Sequence, residues 1–177
     1  IYTYNEAAQV KPKYTFANMK GTNDPFTWAK QQNYPVFVPR GENGIPLIKW
    51  GKKCLTWKEI VERRDENRVI GMNLANTDLI CIDYDTSYAY NEYKGREVRK
   101  ETFSEYGKKK DKDGYTQASM HSFFITSKKL ATIHKPGIDI IGNATNGLVY
   151  RKSNKKQITD KKPTEITEEL YNKIAMD

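Results

Sequence analysis

The stretch Leu79-Ile80-Cys81-Ile82-Asp83-Tyr84-Asp85 is an apolar run that ends in two aspartates. In a β-strand, side chains two residues apart point to the same face, so Asp83 and Asp85 are expected to project together where the core meets solvent. Two carboxylates held this close repel each other unless a cation lies between them. Carboxylate oxygens are hard ligands, which favour Mg²⁺ or Mn²⁺. The sequence therefore predicts a divalent metal site at the end of this strand.

The segments on either side of this strand alternate between helical and extended patterns. Asn23-Asp24-Pro25 predicts a helix that ends near Gln32, and Thr56-Trp57-Lys58-Glu59 predicts a capped helix that ends near Arg64. Further strands are predicted at 34–38, 45–48, 68–74, 121–126, 137–141 and 147–150. Further helices are predicted at 88–106, 127–133 and 164–175. Residues 107–114 are predicted to form a mobile connector. This alternation predicts a mixed α/β (α+β) domain.

The length and composition are typical of one domain with a sizeable core, since 37% of the 177 residues are hydrophobic. We expect residues 1–22 to form an irregular arm, residues 23–163 to form the main domain, and residues 164–177 to form a helix that leads to further domains. No run of about 18 apolar residues is present, so no membrane span is predicted. Cys54 and Cys81 lack metal-ligand spacing, which is typical of a reduced, intracellular protein.

The positive charge is concentrated in one part of the chain. The formal net charge is +8, and residues 121–163 hold nine basic side chains and only two acidic ones, Asp139 and Asp160. A solvated lysine-rich surface is one interpretation of this excess. The other is a face that follows the phosphates of nucleic acid or of nucleoside triphosphates.

Two further polar signals lie on segments with strand character. Ser119-Met120-His121 opens an apolar strand and places Ser119 and His121 on one face, and Asp139 stands between apolar residues. Each signal alone is also compatible with a purely structural role, such as a turn or cap residue. Together, three carboxylates, a serine and a histidine beside a basic segment suit metal-assisted phosphoryl transfer, in which carboxylates hold the metals and Ser and His donate to phosphates.

The order of these three motifs resembles the archaeo-eukaryotic primase superfamily. More narrowly, it resembles the primase-polymerase (prim-pol) branch found in replication proteins of plasmids, phages and viruses. Residues 34–39 and 51–57 look like the opening strand of that branch and its turn into a Trp-containing helix, and residues 137–150 look like its third motif and the strand that follows. The resemblance covers roughly residues 34–153.

The resemblance implies a role for each matching position. Asp83, Asp85 and Asp139 would be the catalytic, metal-binding carboxylates, and His121, assisted by Ser119, would contact the phosphates of the nucleotide. Weaker candidates for nucleotide contact are Arg151 and Lys152, and those for nucleic-acid contact are Lys52, Lys53, Lys155 and Lys156. The implied fold is an N-terminal α/β module packed on an RRM-like sheet, with the active site in the cleft between them.

The implied function is that of a DNA-templated nucleotidyltransferase, a primase and DNA polymerase. A primer 3′-hydroxyl would attack the α-phosphate of a metal-bound NTP or dNTP, and pyrophosphate would leave. The partners that the resemblance implies are a DNA template and primer and a fused or associated helicase. No Gly-x-x-x-x-Gly-Lys-[Ser/Thr] stretch occurs, so no ATPase is predicted within this chain. Two alternatives remain open: a metal-dependent nuclease that uses the same carboxylates, and a non-catalytic nucleic-acid-binding domain of a replication initiator.

Overall fold

The computed structural model describes residues 3–9, 11–34, 36–49, 53–151 and 157–176. Within these ranges the strands, in chain order, are β1 (Phe37–Pro39), β2 (Ile70–Asn73), β3 (Leu79–Tyr84), β4 (Ser104–Lys110), β5 (Thr116–Ile125), β6 (Ile133–Lys135), β7 (Ile138–Ile141), β8 (Leu148–Arg151), β9 (Gln157–Ile158) and β10 (Thr164–Glu165). The helices are α1 (Pro25–Gln32), α2 (Trp57–Glu62), α3 (Ser87–Glu92), α4 (Gly95–Glu101) and α5 (Glu168–Met176), and a 3₁₀ turn covers Tyr4–Glu6. None of the helices in these ranges is long and apolar enough to cross a membrane.

The described strands form two sheets. A smaller antiparallel sheet has the order β1-β2-β8, and a larger sheet has the order β6-β7-β3-β5-β4-β9. Neighbouring strands along the larger sheet are antiparallel, and β10 adds to it by pairing with β5 in parallel. The predicted mixed fold class is therefore confirmed as α+β, with mainly antiparallel sheets.

Two hydrophobic clusters cover opposite faces of the larger sheet. Alternate residues Ile80 and Ile82 of β3 belong to one cluster, together with residues of α3, α4 and α5. Leu79 and Cys81 belong to the other cluster, together with residues of α1, α2 and the smaller sheet. Because side chains alternate along a strand, the next residue in the second series is Asp83.

The predicted starts of the first two helices are confirmed. The Asp24 carboxylate accepts a hydrogen bond from the N–H of Phe26 at 2.9 Å, which caps α1. Thr56 and Glu59 form a reciprocal capping box at the start of α2. Both caps satisfy backbone donors that have no partner within the helix.

The N-terminal segment has little regular structure but contributes to the core. Tyr14 and Phe16 are buried. The Asp78 carboxylate accepts hydrogen bonds from the N–H groups of Phe16, at 2.6 Å, and Ala17, at 2.9 Å. Burial raises the pKa of this carboxyl group, while the two backbone donors act in the opposite direction.

The predicted helix 88–106 is confirmed as far as Glu101, as two helices, but it is wrong for residues 104–106, and the predicted mobile connector 107–114 is wrong for residues 107–110. The chain forms α3 and α4 and then enters β4, which pairs with β5 from Ser104 opposite Ser122 to Lys110 opposite Thr116. The lysines of this segment are tolerated because the ladder satisfies the backbone while their side chains stay exposed.

Three other predicted elements also differ from the structure. Residues 45–48 contribute only an isolated bridge between Arg40 and Pro46 rather than a strand. Residues 127–133 are not helical, since the chain runs irregularly to β6. The last helix begins at Glu168 because Thr164 and Glu165 pair with the end of β5 instead.

Candidate functional site

Three adjacent strands of the larger sheet bring the three sequence motifs together. Asp83 on β3 lies opposite Asp139 on β7 and opposite His121 on β5. Residues directly opposite each other on antiparallel strands project from the same face, with Cβ atoms roughly 5 Å apart. We call Asp139, Asp83 and His121 the polar row; it continues the face that carries Leu79 and Cys81.

His121 is held between two carboxylates. Its Nε2 lies 3.3 Å from Oδ1 of Asp83, and its Nδ1 lies 3.7 Å from Oε2 of Glu105. Glu105 is the residue opposite His121 on β4, and its side chain is only 2% exposed. The imidazole therefore lies between the carboxylates of Asp83 and Glu105.

Ser119 lies where its spacing from His121 predicts. It is two residues before His121 in β5, so it shares the face of the polar row, and it is 9% exposed. The residue opposite it on β4 is Gly107, which has no side chain. The hydroxyl group of Ser119 thus lies beside the polar row, and no side chain from the opposite position, Gly107, covers it.

Asp85 follows β3 and makes a different contact. Its backbone N–H donates to the carbonyl of Gly137 at 2.8 Å, and its carboxylate pairs with Lys109 on β4. Gly137 has φ +77°, and a Cβ at this position would collide with the side chain of Thr86. The glycine is thus required at the turn that leads into β7 and Asp139. The structure brings Asp83 and Asp139 together and gives Asp85 a lysine partner.

The donor set of the polar row fits a hard divalent cation. Among the described residues, no group of three or more His, Cys, Asp or Glu side chains converges in a way that could hold a metal ion. Mg²⁺, however, is commonly held by one or two carboxylates, with waters and substrate phosphates as the other ligands. Asp83 and Asp139 supply two such carboxylates, while Oδ1 of Asp85 is paired with Lys109.

Arg151, predicted to contact the nucleotide, is engaged by two carboxylates. Its guanidinium donates to both oxygens of Asp24, each at 2.8 Å, pairs with Glu105, and lies 4.3 Å from the ring centroid of Phe26. Burial alone would raise the pKa of Asp24, but the hydrogen bonds and charge of Arg151 outweigh it, so this pKa falls below its usual range. Arg151 thus links β8, α1 and β4.

The remaining basic candidates fall into two groups. Lys53 is exposed in the loop before α2, whereas Lys52, Lys152, Lys155 and Lys156 lie outside the described residues. Within the basic segment 121–163, Lys128 donates to the carbonyl of Tyr4 at 3.3 Å and lies 4.4 Å from the centre of its ring. At least this lysine and Arg151 therefore serve the fold rather than an open phosphate-binding face.

Glu105 and His134 are not among the site residues that the sequence predicts. Glu105 falls in the segment predicted to be helical, and the Nδ1 of His134 lies 2.9 Å from Oδ1 of Asp139. Both residues are register partners of the polar row, on β4 and β6. Only the strand pairing identifies them, because neither stands in an apolar run that ends in a charge.

Comparisons with known proteins found no match for this chain: no protein-family model matches it, and no curated protein matches it significantly. The arrangement of the described side chains itself indicates what they can bind. A pair of carboxylates suits a divalent cation, and the neighbouring imidazole and hydroxyl group suit an anionic ligand.

Proposed function

We propose that this protein is a DNA-templated nucleotidyltransferase of the primase-polymerase type, acting on primed DNA with NTPs or dNTPs. One observation carries the proposal. Asp83, His121 and Asp139, which belong to three separate sequence motifs, lie side by side on three adjacent strands and share one face. Phosphoryl transfer needs this combination of metal-binding carboxylates and phosphate donors in one place.

In this proposal each side chain has a defined task. Asp83 and Asp139 would hold Mg²⁺ or Mn²⁺, and Asp85 would join them when Lys109 is drawn away. A divalent cation bound there would activate the primer 3′-hydroxyl and neutralise charge on the phosphates. His121 and Ser119 would donate hydrogen bonds to phosphate oxygens of the nucleotide and hold its α-phosphate in line for attack. The products are a primer longer by one nucleotide and pyrophosphate.

The topology supports the RRM-like part of the proposal. β3 and β4 are each antiparallel to β5, which lies between them, and α3 and α4 connect them in sequence. This is a split β-α-β unit of the kind found in ferredoxin-like folds. β7 on the other side of β3 completes a four-stranded set, with β6 in the connection where a second helix usually lies.

The position of the polar row supports the proposed cleft. The row continues the sheet face whose apolar residues pack with the smaller sheet and α1. The Asp83 side chain is 25% exposed, compared with 2% for Glu105 behind His121. Side-chain exposure thus rises along the sheet from Glu105 to Asp83 and Asp139. This suits a site that is open to substrate at the edge of the hydrophobic core.

The proposal is tested by extension of a labelled primer on single-stranded DNA template, with Mg²⁺ or Mn²⁺ and with NTPs or dNTPs. Asp83→Asn and Asp139→Asn are each expected to reduce extension at least about 100-fold, because loss of even an outer-shell partner of a metal site costs about 10- to 100-fold. Asp160→Asn is the matched control, since Asp160 is an exposed aspartate between β9 and β10, outside the polar row.

Three outcomes would contradict the proposal in different ways. Undiminished extension by Asp83→Asn would remove this site from the reaction. Shortening of labelled DNA with metal alone, without use of nucleotides, would indicate the nuclease. Salt-sensitive DNA binding with no synthesis under any metal would indicate the non-catalytic binding domain.

A further inference from the structure

We infer that the hairpin formed by the far ends of β4 and β5 binds single-stranded DNA, with Tyr115 stacking on a base. We call residues 107–117 the hairpin arm. The inference rests on the proposed function, because it assigns the arm to the template or primer strand that leads to the polar row. It depends on four features of the arm: its exposed tip, its fixed turn, its exposed tyrosine and its lysines.

The arm extends beyond the other strands of the sheet. β9 pairs with β4 only at Glu105 and Tyr106, and β3 pairs with β5 only from Met120 onward. Within the described part of the chain, the ladder from Gly107 to Lys110 therefore has β5 as its one partner strand.

At the base of the arm, the start of α3 contacts β5: the N–H of Ala118 donates to Oγ of Ser87, and Oε1 of Gln117 accepts from the N–H of Ser87, each at 2.9 Å. Toward the tip, residues 110–116 are exposed except for Asp111, so the tip is the part of the arm that a ligand can reach.

The turn at the tip of the arm is fixed by one side chain. The Asp111 carboxylate accepts hydrogen bonds from the N–H groups of Asp113 and Tyr115, each at 2.9 Å, and from Nε2 of Gln117 at 3.1 Å. Gly114 has φ +85°, and its N–H donates to the carbonyl of Asp111 at 3.0 Å. Tyr115 is thus attached to a rigid backbone, so ordering it against a ligand costs little conformational entropy.

Tyr115 is exposed although its ring is large and apolar. Its side chain is 70% exposed, so packing does not account for its presence. The N–H of Asp111 donates to the carbonyl of Tyr115 at 2.9 Å, which extends the β4–β5 ladder by one pair. Tyr115 therefore begins an alternate series that continues through Gln117 and Ser119 to His121. At about 3.3 Å per residue, the series covers roughly 20 Å and ends at the polar row.

The charges of the arm favour a polyanion. It holds four exposed lysines, namely Lys108, Lys109, Lys110 and Lys112, and two aspartates. Asp111 is committed to the turn and Lys109 pairs with Asp85, so three lysines and one aspartate remain for a ligand. Aromatic side chains that stack on bases, together with lysines that track phosphates, are the usual means of binding single strands. Stacking on a base face requires an unpaired base, which favours a single strand over a duplex.

The experiment measures binding of fluorescently labelled dT20 by anisotropy, with the full chain and without nucleotide. Tyr115→Ala is expected to weaken binding roughly 5- to 150-fold, which is the stacking contribution of one base. Tyr115→Phe keeps the ring and is expected to bind within about twofold of the unaltered chain. Tyr34→Ala is the matched control, because Tyr34 is also exposed but lies outside the arm, after α1. Thermal melts establish that each variant is folded.

A second measurement tests the lysines. The double variant Lys110→Gln/Lys112→Gln is expected to reduce the slope of log K against log[salt] by about 1.4, since each phosphate contact on a single strand contributes about 0.7. An unchanged slope would limit the arm to stacking and overturn the electrostatic part of the inference.

The two proposals fail in distinguishable ways. Equal dT20 affinity for Tyr115→Ala and the unaltered chain, or no binding by the unaltered chain at roughly 100 µM, would overturn the inference. Extension that persists in that case would leave the proposed function intact. Conversely, tyrosine-dependent binding without any extension would contradict the polymerase and retain the arm as a DNA-binding element.

Discussion

Arg151 connects the candidate site to the rest of the protein through a chain of charged side chains. Its two carboxylate partners are Asp24, the N-cap of α1, and Glu105 on β4. Glu105 is nearly fully buried, and a buried carboxylate is stable only when it is paired. Since Glu105 lies against His121, Arg151 fixes the carboxylate that supports the imidazole. We therefore assign Arg151 a positioning role.

The Asp24→Asn variant tests this charged cluster. It is expected to lower the free energy of unfolding by about 2 kcal/mol at neutral pH, because it removes a charge-assisted pair of hydrogen bonds to Arg151. The pKa of Asp24 lies below its ordinary value of 3.8 in the folded protein. Its stabilising effect is therefore complete above pH 3.8 and is lost as the pH falls through the lower, folded-state pKa.

Urea unfolding of both proteins between pH 7 and pH 3 measures the effect. The difference in unfolding free energy is expected to stay constant down to about pH 4 and then to shrink. Asp160→Asn, an exposed replacement, is the control and is expected to change stability by less than about 0.5 kcal/mol. If the difference in unfolding free energy did not depend on pH, the negative charge of Asp24 would make no contribution to stability.

The polar row shows which site residues can be predicted from the sequence. Asp83, His121 and Asp139 each interrupt or adjoin an apolar strand pattern, and such a break is visible in the sequence. Glu105 and His134 carry no such signal, because their importance comes from the register of neighbouring strands. Register depends on long-range pairing, so it becomes known only when the sheet is assembled.

At the scale of elements, β4 explains most of the error in the prediction. Its last three residues are all lysines, which gives it no alternation of apolar and polar residues at that end. Its ladder with β5 nevertheless forms over seven residue pairs, since backbone hydrogen bonds do not depend on the side chains. The capped helices α1 and α2 were predicted correctly because their signals are local.

The ion pair between β4 and the end of β3 leads to a prediction about the metal requirement. Lys109 occupies the carboxylate of Asp85, so it competes with any cation for that ligand. If the proposed function holds, Lys109→Met is expected to lower the Mg²⁺ concentration for half-maximal extension about two- to fivefold. The change is small because an exposed ion pair contributes at most about 1 kcal/mol.

Lys108→Met is the matched control for this prediction. Lys108 is the neighbouring lysine, exposed on the opposite side of β4. Its replacement is expected to leave the metal requirement unchanged, and calorimetric titration with Mn²⁺ gives a measurement independent of extension. An equal shift in both variants would indicate a general charge effect rather than competition for Asp85.

At the scale of the whole molecule, the order of the described strands takes the chain between its two sheets three times. Two of these passages, from β2 to β3 and from β7 to β8, lie next to strands of the polar row. The third, from β8 to β9, returns the chain to the larger sheet. The geometry of the site therefore depends on how the two passages beside the polar row are held together.

Asn73 holds the two passages together, and its replacement tests this dependence. Its Nδ2 donates to Oδ1 of Asn146 at 3.0 Å, and its Oδ1 accepts from the N–H groups of Ala75, at 3.0 Å, and Gly147, at 3.2 Å. Asn73 is 6% exposed, so Asn73→Ala removes partners from buried polar groups. The expected loss is roughly 2–3 kcal/mol of unfolding free energy by urea denaturation. Asn91→Ala, on the exposed side of α3, is the control.

Hydrogen exchange of the Asn73→Ala variant separates a local effect from a global one. Because one side chain contacts both passages, amides of β3 and β8 are expected to lose protection together, by a factor that corresponds to the loss of unfolding free energy. Loss of protection confined to β8 would mean that the smaller sheet opens by itself. The polar row on β3 would then be independent of the sheet that faces it, and a site shared by the two sheets would lose its structural basis.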